Sequence, residues 1–448
     1  MWRTKSAYRP NTPKLKGFLA SSRAPRRPAG GGANLARMRD KCHLSGVATE
    51  APAGVRGAAR GLLAAVLVSL VLGLLALAHV YIARRLVLEP GLPEPWSTLL
   101  CGAIAVLGVG MILQPALGRL FPPDKIRLAA WPPLVWMGVF FLSFCLLAFS
   151  DGLLWLLGAG FGPDVEADPR AWARLRAGGV AGLTATAVAL GLPGALRVPG
   201  VKRVQVPLAR WPAALDGFRI VQISDIHIGP ILGRRFAARL TDAVNALEPD
   251  LIAVTGDLVD GLVDHLHEEV APFAELRARH GTFFVCGNHD FYSGAGGWVE
   301  RVEALGIRPL RNARVAIEHE GGVFDLAGVD DYRGDWRLGS TQDLPAALAG
   351  RDPERPVVLL AHDPSTFAEA AAADVDLQLS GHTHGGQIWP FRWLVRLAIR
   401  WVEGLHRVGA STLYVSRGTG FWGPPIRLLA PAEITELTLR KGEPDASA

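Results

Sequence analysis

Four apolar stretches in the first half of the chain limit its fold more than any other feature. They run from about Gly61 to Ala83, Trp96 to Leu113, Leu128 to Phe149 and Ala177 to Leu196. Each is 18–23 residues long, and a helix needs ~20 residues to cross the hydrocarbon core of a bilayer. They are almost free of charge, and the short connections between them hold Pro, Arg and Asp. Buried helices of a soluble protein are the bland alternative, but four such runs in succession argue against it. The expectation is a bundle of about four transmembrane helices over residues 56–200.

Charge is distributed unevenly around this region. The 448-residue chain has a formal net charge of +6, and its first 60 residues hold 13 Lys and Arg. Residues 1–55 are rich in Arg, Pro, Gly, Ala and Ser without a sustained apolar period, the composition of a disordered basic tail. A solvated flank accounts for it, and no nucleic-acid partner is expected. Met38 is a candidate start. Arg26-Arg27 stands too far before the first apolar run to act as an export signal. Counted after Met38, placing the N-terminus inside puts eleven Lys and Arg on inner segments and five on outer loops. That bias predicts a multi-pass membrane protein with a cytoplasmic C-terminal domain. Cys42, Cys101, Cys145 and Cys286 show no paired spacing, so neither a disulfide framework nor a thiolate zinc site is implied.

From about Val204 the pattern changes to short apolar runs separated by turn residues and amphipathic stretches. Phe218–Ser224, Leu251–Thr255, Thr282–Cys286, Val323–Val329, Val357–Ala361, Leu377–Ser380, Leu413–Ser416 and Ile434–Leu439 read as strands, and Arg234–Leu247 as a helix. This rhythm predicts an α/β domain over residues 204–442 with layered, mixed sheets.

Metal-binding residue types follow several of these runs. They are Asp225-Ile226-His227, Gly256-Asp257, Gly287-Asn288-His289-Asp290, the single His362, and Gly381-His382-Thr383-His384. On an extended strand end, Asp225 and His227 would share one face, as would His382 and His384. The donors are oxygen and nitrogen without sulfur, which favours Mn, Fe, Zn or similar ions. Two carboxylates, an amide oxygen and four imidazoles are too many for one ordinary site and suit two ions. Cys286 adjoins one motif but reads as a small buried strand residue.

In order and spacing these pieces resemble the calcineurin-like metallophosphoesterases: Asp-x-His, Gly-Asp-x-x-Asp (Asp257 to Asp260), Gly-Asn-His-Asp, His, and Gly-His-x-His. Gly385-Gly386-Gln387 and Tyr414-Val415-Ser416-Arg417-Gly418-Thr419-Gly420 resemble its membrane-linked YkuE/YaeI-like branch. The resemblance covers about residues 204–442 and implies a four-layer α/β/β/α sandwich. It puts Asp225, His227 and His384 on one ion, Asn288, His362 and His382 on the other, and Asp257 on both. It gives His289 to the phosphoryl group, oriented by Asp290, and leaves Asp260 behind the ligands.

The expected activity is hydrolysis of a phosphodiester or pyrophosphate, of lipid or nucleotide-lipid type, by attack of a metal-bridging hydroxide. The alternative is a phosphomonoesterase acting on phosphoprotein or small phosphate esters. A membrane scaffold or sensor is the non-enzymatic reading, and the intact Asp225, Asp257, Asn288 and His289 argue against it. A metal transporter is disfavoured because the apolar stretches lack the acidic residues of an ion path. Beyond the motifs, Phe391–His406 reads as a basic helix with Arg392, Arg396 and Arg400 on one face, able to rest on lipid. Arg417 and Arg427 are candidates either for phosphate or for structural ion pairs.

Overall fold

The computed structural model of the chain describes residues 53–161, 169–332, 334 and 341–442. The expected basic tail, with Met38, Arg26-Arg27 and Cys42, lies almost wholly outside these residues. The chain divides into two units, Met1–Ala64 and Ala65–Ala448, and of the first only the opening of one helix is described.

Four long helices come first: α1 (Ala53–Ala83), α2 (Trp96–Leu120), α3 (Pro123–Phe161) and α4 (Pro169–Leu196). All are long and apolar enough to cross a membrane, and they contain the four stretches marked in the sequence. Large apolar side chains such as Leu77, Val106, Trp155 and Leu190 point outward from them, a surface suited to hydrocarbon. Ile82, Leu147 and Val180 pack between the helices. One group of charged side chains among them is paired, as burial beside hydrocarbon favours. Asp151 of α3 accepts bonds from Tyr81 (2.6 Å), Arg85 (2.8 Å) and Arg176 (2.5 Å). Glu89 takes Arg85 at 2.8 Å and Arg176 at 3.0 Å. This network ties α1, α3 and α4 together at one end.

Twelve strands follow among the described residues: β1 (Val201–Leu208), β2 (Arg219–Ile223), β3 (Leu251–Val254), β4 (Thr282–Phe284), β5 (Arg308–Pro309), β6 (Ala313–His319), β7 (Gly322–Gly328), β8 (Val357–Leu360), β9 (Leu377–Ser380), β10 (Gly404–Val408), β11 (Ser411–Val415) and β12 (Ile434–Lys441). They form two mixed sheets, in the orders β1-β12-β2-β3-β4-β5 and β10-β11-β9-β8-β7-β6. The central strands β2, β3, β8 and β9 run parallel to their inner neighbours and are buried on both faces. Burial on both faces is why their sequences are nearly continuous apolar runs.

The two sheets face each other across a core that includes Ile220, Leu251 and Phe283 from the first and Leu326, Val358 and Leu379 from the second. The outer face of the first sheet carries Phe236 and Leu240 of the helix Arg234–Asn245 and Trp298 of the helix Ala295–Ala304. Beyond the second sheet lie Leu344, Ala347 and Ala370 from two short helices. The result is the expected four-layer α/β/β/α arrangement, preceded by four membrane-type helices.

The helices α3 and α4 also pack on the sandwich. Ile426, in the loop before β12, is fully buried between Gly138 of α3 and Gly191 of α4. The Arg427 amide donates to the Gly191 carbonyl at 3.1 Å, and Phe391 meets Phe141 edge to face at 5.8 Å. The basic helix is shorter than the sequence suggested. It covers Phe391–Ala398, and the chain then turns into β10. Arg400 therefore lies beyond the helix, stacked on Trp401, and Arg392 is paired with Glu403 at 2.8 Å.

Candidate active site

Loops at the carboxyl ends of β2, β3, β4, β8 and β9 converge at one edge of the sandwich and bring Asp225, His227, Asp257, Asn288, His362, His382 and His384 together. None of these residues lies in a strand. The same-face geometry expected of extended strand ends is absent, and tight turns replace it. Asp225, His227, Asp257, His382 and His384 have φ of 51, 50, 51, 72 and 51°. Left-handed backbone at a non-glycine residue costs energy and persists only where the surroundings enforce it. The glycines make the close approach possible. A Cβ on Gly256 (φ 88°) would strike the His362 ring and the backbone of Gly287, and one on Gly287 would strike the Asp257 carboxylate.

The donors fall into two clusters. In the first, Asp225, His227 and His384 offer atoms within 4.8 Å of one another, with the Nε2 atoms of His227 and His384 at 3.1 Å. In the second are Asp257, His362 and His382. There His362 Nε2 lies 3.2 Å from Asp257 Oδ2 and 3.2 Å from His382 Nδ1. Asp257 Oδ2 is also 3.8 Å from His227 Nε2, so this carboxylate stands between the clusters. Asn288 Oδ1 and Asp225 Oδ2 are buried without a hydrogen-bond partner among the described residues. Ring nitrogens converging on one another and on carboxylates, with orphaned buried oxygens beside them, fit divalent cations well.

Outer contacts set the tautomers. His362 Nδ1 donates to the Thr255 carbonyl at 2.8 Å and His227 Nδ1 lies 2.9 Å from Asp260, which turns each Nε2 toward the cluster. Burial opposes charge on Asp257, but His362, His289 and His227 outweigh it and hold its carboxyl well below the usual range. Burial, together with His227 and Arg427, pushes His384 well below the ordinary imidazole value.

The family model described as calcineurin-like phosphoesterase matches residues 218–386. A "Transmembrane protein with metallophosphoesterase domain" from Bos taurus is 37% identical over 323 residues, 68% of this chain and 72% of that protein. The chain belongs to the calcineurin-like metallophosphoesterases. Its relative of the same name from Danio rerio is 37% identical over 268 residues, 58% of this chain and 61% of that protein. An uncharacterized metallophosphoesterase YkuE from Bacillus subtilis is 34% identical over 238 residues, 51% of this chain and 81% of that protein. As a calcineurin-like metallophosphoesterase the chain is a metal-dependent phosphoester hydrolase, and with its apolar helices it is a membrane protein.

In this metallophosphoesterase the partner of His289 is not the one expected. Its Nδ1 bonds Asp260 at 2.7 Å. Burial works against charge on His289, but Asp260 and, more weakly, Asp257 and Asp290 outweigh it and lift its pKa to about 9. Asp290 lies fully buried beneath the loop, where its oxygens accept the amides of Asp257 (2.9 Å), Leu258 (2.9 Å) and Gly287 (2.8 Å). It shapes the turns that present Asp257 and Asn288 and does not bond the His289 ring. Burial and the nearby Asp257 push its pKa up to about 7.

Arg417 is engaged by Glu433 at 2.7 Å, and Arg427 is buried, with bonds to the carbonyls of Gly420 and Ala430 and its guanidinium 3.2 Å from His384 Nδ1. Both therefore have structural partners. Cys286 is buried in the core, as read from the sequence. No sequence signal marks Tyr292 and Trp422, whose rings lie 5.5 and 6.0 Å from His289. Met137 and Phe141 reach the site mouth from α3. A side chain inside a long apolar run carries no mark of such a role.

Proposed function

We propose that the protein is a membrane-anchored, dinuclear phosphoesterase that cleaves a phosphodiester or pyrophosphate carrying a lipid or nucleotide-lipid part. The observation that carries this reading is Asp257 standing between two donor clusters, with the orphaned Asn288 Oδ1 beside one and Asp225 Oδ2 beside the other. Asp225, His227 and His384 would hold one divalent cation, and Asn288, His362 and His382 a second, with Asp257 shared. Mn, Fe or Zn suits these donors. Such cations, when bound, supply Lewis acidity and lower the pKa of water that can attack phosphorus.

The chain's own residues account for the proton traffic. Charged His289, held by Asp260, faces the phosphoryl group in the pocket it lines. As the water oxygen bonds to phosphorus, the bond to the leaving oxygen breaks, and His289 donates its proton there. We also propose that the chain crosses the membrane four times, with the catalytic domain over residues 204–442 on the cytoplasmic side; the excess of Lys and Arg on inner segments supports this.

The test uses the full chain in detergent. After chelation and dialysis it should lose activity on bis(p-nitrophenyl) phosphate, and added Mn²⁺ should restore it. Turnover that survives thorough chelation would overturn the metal-dependent reading. Faster hydrolysis of p-nitrophenyl phosphate than of the diester would move the reading to a phosphomonoesterase.

A further inference from the structure

A cleft of about 610 Å³ runs from the metal-binding residues to the flank of α3. Its inner end is formed by Asp257, Asn288 and His384. Its outer walls include Met137 and Phe141 of α3 and Leu394 and Val395 of the helix Phe391–Ala398. Two polar side chains of the lining are already spent. Thr383 donates to the Val402 carbonyl, and Gln387 donates to the carbonyls of Trp422 and Pro424 while accepting the Trp422 amide. The cleft is therefore polar at its inner end and apolar along its outer walls.

The helices place the mouth of this cleft in depth. On α3 the charged network at Asp151 lies thirteen residues beyond Gly138, ~20 Å at 1.5 Å per residue. On α4, Arg176 lies fifteen residues before Gly191, ~22 Å. A hydrocarbon core is ~30 Å thick. With the charged network at the far headgroup boundary, the catalytic surface that touches Gly138 and Gly191 stands within the near edge of the bilayer. The helix Phe391–Ala398 agrees with that depth. Trp393 is 57% and Leu397 85% exposed, apolar groups of the kind that settle at a membrane interface.

We propose that this cleft holds the hydrocarbon chain of a membrane phosphoester, which enters sideways from the near leaflet between α3 and the helix Phe391–Ala398. The inference rests on the phosphoesterase reading above. The phosphate reaches the inner end while the chain stays against Met137, Phe141, Leu394 and Val395. A second cleft of about 440 Å³, bordered by Gln114, Arg119 and Asp260, begins at the same His289 and Trp422. It leaves room for the polar substituent on the other side of phosphorus.

The test uses the full chain in mixed micelles with Mn²⁺ and a series of p-nitrophenyl alkyl phosphate diesters from methyl to hexadecyl. Burying one methylene changes affinity by a factor of about four. kcat/KM should therefore climb two- to fourfold per carbon over the first several carbons and then level off. Val395→Trp and Met137→Trp fill the outer cleft and should lower the hexadecyl-to-methyl ratio at least tenfold, with a single gel-filtration peak and a cooperative thermal transition in detergent showing that each variant is folded. Equilibrium binding of tritiated hexadecyl phosphate, competed by shorter alkyl phosphates, reads the same preference without turnover. A chain-length slope that survives intact in both variants belongs to partition into the micelle and overturns the cleft. A flat slope in the wild-type protein overturns it too, while leaving the phosphoesterase reading in place. Failure of every ester to react despite chain-length-dependent, variant-sensitive binding would keep the cleft and overturn the hydrolase.

Discussion

One oxygen of Asp260 serves two imidazoles: Oδ1 lies 2.7 Å from His289 Nδ1 and 2.9 Å from His227 Nδ1. A single carboxylate thus orients both the proposed proton donor and a proposed metal ligand, and charge at His289 is linked to geometry at His227. Asp260 is itself held well below the usual carboxylate range, because the two rings outweigh its burial.

His289 should be separable from metal binding. His289→Ala is expected to lower kcat by ~10²–10⁴-fold, the usual span for a lost general acid, with metal content by mass spectrometry unchanged. In the native protein the acid form is present below its pKa of about 9 and is lost as pH rises through it. kcat should therefore fall on the alkaline side. Asp260→Asn removes the main group holding the proton, so this limb should move down toward the ordinary imidazole value of ~6.5. A limb that stays in place would reject His289 as the donor.

Asp257→Asn removes charge from both donor clusters at once. Expected results are near-complete loss of turnover and a fall in bound metal at one or both sites. Normal metal content together with normal turnover would sink the shared-ligand assignment.

The notch around Ile426 predicts a stability effect outside the catalytic loops. A Cβ at Gly191 would meet the Ile426 side chain and the Arg427 backbone. Gly191→Leu should cost ~1–3 kcal/mol by overpacking, seen as a lower Tm in detergent. Metal retention should weaken as well, because Arg427 sits against His384. Gly182, around which a Cβ would meet nothing within 4 Å, is the control. Equal shifts for Gly182→Leu and Gly191→Leu would remove the packing explanation.

Topology can be read with a reporter that works only outside the cytoplasmic membrane. Fused after Gly442 it should stay silent, and fused between α3 and α4 it should be active. The reverse pattern would place the catalytic domain on the other side.

The strands legible in the sequence were the interior ones, and the reason is physical. β2, β3, β8 and β9 are buried on both faces, so apolar residues run on without alternation. The four strands that escaped notice were β1, β5, β6 and β10, and these are the four sheet edges. Half-exposed as they are, their residues mix charge with apolar groups, as in Ala313–His319. The site residues were legible as an ordered set because each glycine and ligand follows an apolar run. Their left-handed turns were not, since nothing local forces φ near +50° on Asp225 or His227. The partner of His289 is hidden in the sequence for a similar reason. Asp290 is its neighbour in sequence, whereas Asp260 reaches it only once the β3 and β4 loops are brought side by side.

The wedge of Ile426 between Gly138 and Gly191 bears on how this enzyme can be handled. A cut in the Arg197–Gly200 connection would not release a water-soluble hydrolase. It would uncover Ile388, Ile426 and Leu428, which now pack on Leu142 and Leu192, and leave the Arg427 amide without its carbonyl partner. The freed fragment would carry a sticky apolar scar a few residues from His384. Purification and inhibitor screening should therefore keep the helices attached, because α3 and α4 form part of the catalytic domain's own packing.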